Sequence, residues 1–403
     1  MGRGSDLGDG LGMRGGGSTG KVLRAAVTGI ALALWSVACS GSNPVTVPEG
    51  SGETTEAVEP SELVDDEPTQ EAQIRGLLEE FVEDGQSVGV VVGIVREGER
   101  VVVGAGRLSD GDPVLPDGDT VFEIGSITKV FTSTALADLE ASLGLGLETP
   151  VQSLLGDQVQ MPTRNGTEIT LGHLATHSSG LPRLPNNLAP VDWANPYADY
   201  TAERLYDFLA DHELARNIGE TVEYSNLGYG LLGHALSLSE GTNYETVIVQ
   251  RILEPLEMAD TAVNLTPPLQ ARMAAGHDQR LQPVANWDLA VLAGAGALRS
   301  TVNDLVTFLE ANLGLRQTPL REAMQRTHVP QVTDPAMGMD LGLGWLIADI
   351  DGRRFLWHNG ATGGYSSFIG FDPEAREGIV ILSNSVISVD SLAQRLVTRY
   401  FEG

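Results

Sequence analysis

With 403 residues, 42% of them hydrophobic and 5% aromatic, the chain has material for one large core or two smaller ones, and nothing in it suggests a repeat array. Its formal net charge of −29 at pH 7 excludes a nucleic-acid partner, because binding a phosphate backbone needs a surplus of Lys and Arg to release counterions.

Residues 1–38 read as a signal peptide. A Gly-rich start leads to Lys21 and Arg24 and then to an apolar run over 25–38, the order of a basic region, an apolar region and a small-residue cleavage site. The run is shorter than the roughly 20 apolar residues a membrane-spanning helix needs. Met13 is an alternative start, since Asp6 and Asp9 fit a basic region poorly. The single cysteine follows at once, and Ser36-Val37-Ala38-Cys39 has two readings. It resembles a bacterial lipoprotein box, with Ser36 where Leu is usual, in which Cys39 is lipidated after cleavage; it also passes as a cleavage site followed by an unmodified thiol. The placement of a lone cysteine just there favours lipidation, hence export to the cell envelope on a lipid anchor, and one cysteine allows no intrachain disulfide.

Residues 39–71, rich in Glu, Asp, Pro, Ser and Thr and free of basic residues, read as a disordered acidic linker. The folded domain is expected over 72–403. It opens with helical spacing over 71–83, a β-branched strand over 88–95, a Glu97-Gly98 turn and a second strand over 100–106. From about 126 to 312 helical patterns dominate, and Thr301 followed by Asp304 marks a capped helix start. The C-terminal end predicts four strands, over 341–350, 354–358, 365–371 and 378–383, joined by turns such as Asp351-Gly352, and a closing helix over 389–400. The expected architecture is therefore α/β (α+β): an antiparallel sheet built from both chain ends and flanked by helices, with a mostly helical second subdomain and a cleft between the two parts.

The chemistry begins at Phe122-Glu123-Ile124-Gly125-Ser126-Ile127-Thr128-Lys129. Ser126 and Lys129 are three apart at the start of an amphipathic helix, so the amine lies over the hydroxyl. A serine is a weak nucleophile until a neighbour takes its proton, and a lysine with a pKa depressed by burial can do so. The spacing alone is weak, since Ser18-Thr19-Gly20-Lys21 repeats it. Composition strengthens it: Lys21 and Lys129 are the only lysines, and the other 23 of 25 basic residues are arginines. Arginine cannot be deprotonated in a protein, so a site that needs a titratable amine is where Lys cannot be exchanged.

Ser126-Ile127-Thr128-Lys129, Tyr224-Ser225-Asn226 and His358-Asn359-Gly360 resemble, in order, the three boxes of the class C β-lactamase and DD-peptidase family. Stretches 169–182, 254–261 and 296–305 also resemble it, and the likeness covers about residues 72–400. The resemblance implies that Tyr224 assists proton transfer, with Lys129 as the cation that lets it work as a phenolate, and that Asn226 hydrogen-bonds the substrate amide. It implies an oxyanion hole from the backbone N–H groups of Ser126 and Ala361, and a Gly360 that lets substrate lie against the strand edge. No cofactor or metal is implied. The third box departs from the Lys, Thr or Ser, Gly pattern of many β-lactamases: a permanent cation and a hydroxyl that would grip a substrate carboxylate are absent. His358 in their place predicts a rate that follows imidazole titration. No class A deacylation Glu motif is present, so acyl-enzyme hydrolysis would reuse Tyr224 and Lys129.

Other patterns weigh less. Gly85-Gln86-Ser87-Val88-Gly89 fits G-x-S-x-G, yet a helix precedes it and a strand follows, the reverse of a nucleophile elbow. His173 and His177, four apart, would share a helix face as metal ligands do, but the zinc-hydrolase Glu is missing between them, and a structural pair is the stronger reading. Trp287, Trp345 and Trp357 suit either a cleft wall or a core. Three functions compete: a DD-carboxypeptidase or endopeptidase on D-Ala-D-Ala peptides, with or without β-lactamase activity; an esterase or amidase on the same scaffold; and a catalytically silent penicillin- or peptidoglycan-binding module. Retention of Ser126, Lys129 and Tyr224 argues against the last.

Overall fold

The computed structural model describes residues 69–109, 111–350 and 352–401. The expected signal peptide, Cys39 and all but the end of the expected linker lie outside them. Helix α1, Gln70–Glu83, begins two residues inside that linker, because the Thr69 hydroxyl accepts a hydrogen bond from Ala72 N and caps it.

The valine-rich run becomes β1, Gly89–Arg96, buried along nearly its whole length, and the turn at Gly98 returns it as β2, Glu99–Gly106. At the other end of the chain lie β7, Leu346–Ile350, β8, Arg353–Ala361, β9, Ser366–Asp372, and β10, Glu377–Ser383. Strands β1 and β10 pair antiparallel, Val91 opposite Leu382, so the two chain ends form one sheet as expected. The order is β2-β1-β10-β9-β8-β7, extended beyond β7 by two further short strands.

One expectation fails here. The apolar run 341–350 is two strands: β6, Met339–Leu341, ends before a turn in which Gly344 has a left-handed φ of 76°, and β7 follows. Leu343 and Trp345 in that turn are fully buried, so hydrophobic continuity hid the reversal. With β5, Val332–Asp334, the sheet reaches eight strands.

Helices cover both faces. Helix α1 packs on β1 and β2, and the C-terminal helix, Asp390–Phe401, on α1 and β10. The helix Val302–Leu313 packs against β1, β9 and β10 from the other side. Its N-cap is Thr301, whose hydroxyl accepts from Asp304 N at 3.1 Å. Asp304 does not reciprocate; its carboxylate accepts from Asp260 N and the Thr261 hydroxyl, and burial pushes it up to about 6.

Between sheet and helical part runs helix α2, Thr128–Leu143. It is buried almost all round over its first three turns, as a central helix must be, and Phe131 stacks on Phe308 with ring centroids 4.3 Å apart. Its buried N-terminus carries the first box. Helix α3, Asn226–Ser239, carries the second from the helical part, and β8 carries the third from the sheet.

Candidate active site

Ser126 sits in a 3₁₀ turn, Gly125–Ile127, that runs directly into α2. One turn later Lys129 is fully buried, its Nζ 3.0 Å from Ser126 Oγ, 2.9 Å from Asn226 Oδ1 and 2.7 Å from Ala295 O. Burial, and after it the charge of Arg183, hold its pKa well below the usual lysine value. The Ala295 carbonyl and the Asn226 amide oxygen can only accept and take two of its N–H groups, so the remaining position on the nitrogen faces Ser126 Oγ, where it donates as an ammonium and, once deprotonated, presents its lone pair to the hydroxyl.

Tyr224 approaches the same oxygen, its hydroxyl 2.8 Å from Ser126 Oγ. Burial pushes the phenol up to about 12, and the Ser126 contact and Arg183 only partly oppose this. Burial outweighs the nearby positive charge, so the phenolate expected from the sequence is not the resting form and the phenol keeps its proton. Nζ lies 4.9 Å from the Tyr224 ring centroid and the Arg183 guanidinium carbon 5.2 Å.

The second box is held from behind. Ser225 caps α3, its hydroxyl accepting from Gly228 N and donating to Pro182 O at 2.7 Å. Ser225 N donates to His177 Nδ1 at 3.0 Å, and Glu223 N donates to His177 O. His177 has a φ of 58° beyond the end of the short helix Leu171–Ala175, so it does not share a helix face with His173. His173 turns instead to Thr170 in a capping box. Among the described residues no group of three or more His, Cys, Asp or Glu is placed to hold a metal ion.

The third box lies on β8 against the Ser126 turn. A Cβ on Gly360 would come within 2.2 Å of Ile124 O and 2.9 Å of Ser126 N, and one on Gly125, whose φ is 49°, within 2.8 Å of Ala361 N. Both glycines are thus required by the protein's own backbone: Gly360 makes room for the serine turn. The same closeness places the N–H groups of Ser126 and Ala361 on adjoining backbones.

His358 is buried and its Nδ1 donates to Asn359 O at 2.6 Å. Burial first, and a cation at Lys129 second, push it down to about 3, so it does not titrate in the ordinary imidazole range and the expected pH dependence through His358 is withdrawn. Asn359 points elsewhere, its amide donating to both carboxylate oxygens of Asp390 at 3.1 and 3.0 Å.

Ser126, Asn226, Ala361, Trp287, Tyr197 and Leu184 are among the residues lining an open cleft of about 380 Å³. Trp287 is a cleft wall, while Trp345 and Trp357 are core. Ser87 is remote in function: its buried hydroxyl bonds Gly89 O and Ser383 Oγ within the sheet. Sequence reading missed Arg183, one arginine among 23 with no local signal, and Glu123, a buried acid whose carboxylate accepts from Trp287 N at 2.8 Å and lies 3.6 Å from Arg299.

A family model described as Beta-lactamase matches residues 74–399. The D-alanyl-D-alanine-carboxypeptidase/endopeptidase AmpH of Escherichia coli is 30% identical over 293 residues, 69% of this chain and 74% of AmpH. A β-lactamase of Pseudomonas fluorescens is 26% identical over 302 residues, covering 66% of this chain and 80% of that one. Among solved structures, a β-lactamase/D-alanine carboxypeptidase from Pseudomonas syringae aligns with a TM-score of 0.69 at 25% identity, over 82% of this chain and 99% of the other. A class C β-lactamase from Rhodobacter sphaeroides aligns with a TM-score of 0.72 at 24% identity, over 81% and 99%.

Proposed function

The chain belongs to the β-lactamase family of serine hydrolases, and from that premise we propose that it is a DD-carboxypeptidase or endopeptidase that acylates Ser126 with D-Ala-D-Ala cell-wall peptides and with β-lactams. The observation that carries this reading is the convergence of Lys129 Nζ and Tyr224 OH on one oxygen, at 3.0 and 2.8 Å.

Lys129 takes the Ser126 proton as the oxygen attacks the carbonyl carbon, and the N–H groups of Ser126 and Ala361 receive the developing oxyanion. Tyr224, still protonated, gives its proton to the leaving amine, and the proton that Lys129 took from Ser126 restores the phenol, so the site ends with no net gain or loss of protons. Asn226 shares its amide oxygen with Lys129 and can offer its N–H₂ to the substrate amide. Deacylation runs the same relay in reverse with water as nucleophile.

The test is intact-mass detection of a covalent adduct with a fluorescent penicillin, in wild type beside Ser126→Ala, together with D-Ala release from a D-Ala-D-Ala peptide. An adduct in both proteins overturns the assignment of Ser126; no adduct in either and no D-Ala release overturns the peptidase reading. An esterase is the second reading, favoured by Asn359, which is engaged with Asp390 and offers substrate no hydroxyl. Short-chain ester turnover without D-Ala release or penicillin adduct selects it.

Residues 1–38 and Cys39 suit export to the bacterial cell envelope and lipid anchoring, with the acidic linker as spacer. Palmitate labelling that is lost in Cys39→Ala tests this. Among the described residues no helix is long and apolar enough to cross a membrane.

A further inference from the structure

The third box leaves the cleft without a cation: His358 is neutral and Asn359 is turned to Asp390. In a chain with 54 acidic and 25 basic residues, most arginines of the described part are engaged by carboxylates or carbonyls, as Arg251 is by Asp138 and Glu240. Arg183 is not. Its guanidinium makes no hydrogen bond or ion pair among the described residues; it is exposed and lies over the ring of Tyr224, 5.2 Å from the centroid.

Its root is fixed while its tip is free. Arg183 O accepts from Asn226 N at 3.0 Å and from Leu227 N at 3.1 Å, which fastens the residue to the start of α3, and the neighbouring Leu184 lines the cleft beside Ser126. An exposed guanidinium on the face of the tyrosine whose hydroxyl touches the serine presents a planar fork of donors. Its field reaches Lys129, where it adds to the lowering caused by burial, and reaches Tyr224 and Tyr197, where it partly opposes the rise that burial causes.

We propose that Arg183 is the anion-binding residue of the cleft, pairing with a free carboxylate on the acyl donor and so setting a preference for carboxylate-bearing substrates. The proposal rests on the acyl-transfer reading and deepens it. The carboxylate can belong to the C-terminus of a peptide or to the bicyclic nucleus of a β-lactam, and the two are tested separately.

The experiment measures kcat/KM for an acyl-D-Ala-D-Ala peptide against its C-terminal amide, and the acylation rate by benzylpenicillin against its methyl ester, in wild type, Arg183→Gln and Arg183→Lys. Wild type is expected to favour the free carboxylate by about tenfold or more in at least one pair, the size of one charge-assisted hydrogen bond. That ratio falls about tenfold in Arg183→Gln and partly recovers in Arg183→Lys, and the pair that responds identifies the source. Thermal unfolding checks that each variant is folded. An equal ratio in wild type and folded Arg183→Gln, or no preference in wild type, overturns the proposal. Peptide binding to Ser126→Ala and to Ser126→Ala/Arg183→Gln separates this from failure of the acyl-transfer reading. A carboxylate preference lost only in the double variant supports Arg183 even if no compound is turned over. A preference that persists there, or binding of neither peptide to Ser126→Ala, overturns it.

Discussion

His177 Nδ1 accepts the backbone N–H of Ser225 at 3.0 Å, while the same ring lies 4.5 Å from that of Tyr224 and 4.9 Å from that of Tyr229. The imidazole thus fixes both the backbone beside Tyr224 and one face of its ring. Burial, followed by the charges around it, holds its pKa well below the usual histidine value, so it remains an acceptor. His177→Phe keeps a ring and removes the acceptor, leaving a buried N–H unsatisfied. The expected outcome is a loss of about 1–3 kcal/mol of stability and a fall in kcat of roughly tenfold or more. His177→Asn supplies an oxygen and tolerates the left-handed backbone, so it should recover part of both; calorimetry and ester turnover check it.

Lys129 is expected to set the acid limb of the rate profile. Only the free amine accepts the Ser126 proton, so acylation rises with pH through its lowered pKa and is lost below it. Lys129→Met should cost about 10³-fold or more in acylation rate. His358→Asn should leave the position of that limb within the neutral range unmoved, because an imidazole pushed down to about 3 carries no proton to lose there. Stopped-flow acylation from pH 5 to 9 measures both.

Tyr224→Phe removes a proton donor and little volume. If Tyr224 protonates the leaving group, the loss is about 10²–10³-fold for a peptide amine and much smaller for a nitrophenyl ester, whose leaving group departs as an anion. Equal losses on both substrates would mean that the phenol acts before the leaving group does. Comparing kcat/KM for the two substrates decides it.

Two buried imidazoles, His328 and His358, both pushed down to about 3, make the fold sensitive to acid. Between that value and about 6.5 the unfolded chain binds protons that the folded chain excludes, so stability is fully present above 6.5 and falls with pH below it. Each contributes a slope of about 1.4 kcal/mol per pH unit in that window. His328 Nε2 donates to Asn312 Oδ1 at 2.8 Å, and His328→Gln should reduce the slope by one proton, read from urea unfolding at several pH values between 4 and 7.

The layout of the fold, and which residues are candidates for its chemistry, were legible in the sequence alone. Ser126 and Lys129 are local to one turn of helix, and a helix start of this kind places them together whatever surrounds it. The strand runs at both chain ends are a matter of period and residue type, and so is the pairing of chain ends that they imply. Proton occupancy was decided only by the tertiary structure. The resting states of Lys129, Tyr224 and His358 follow from how deeply elements distant in sequence bury them, and composition cannot express that depth. The same is true of direction: Asn359 reads as a box residue but is claimed by Asp390, and Gly360 is required by the backbone of Ile124 and Ser126. Arg183 had no local mark at all. It becomes distinct only because folding sets it over Tyr224 and leaves its guanidinium without a hydrogen bond or ion pair among the described residues, and such an absence is a property of the whole surroundings.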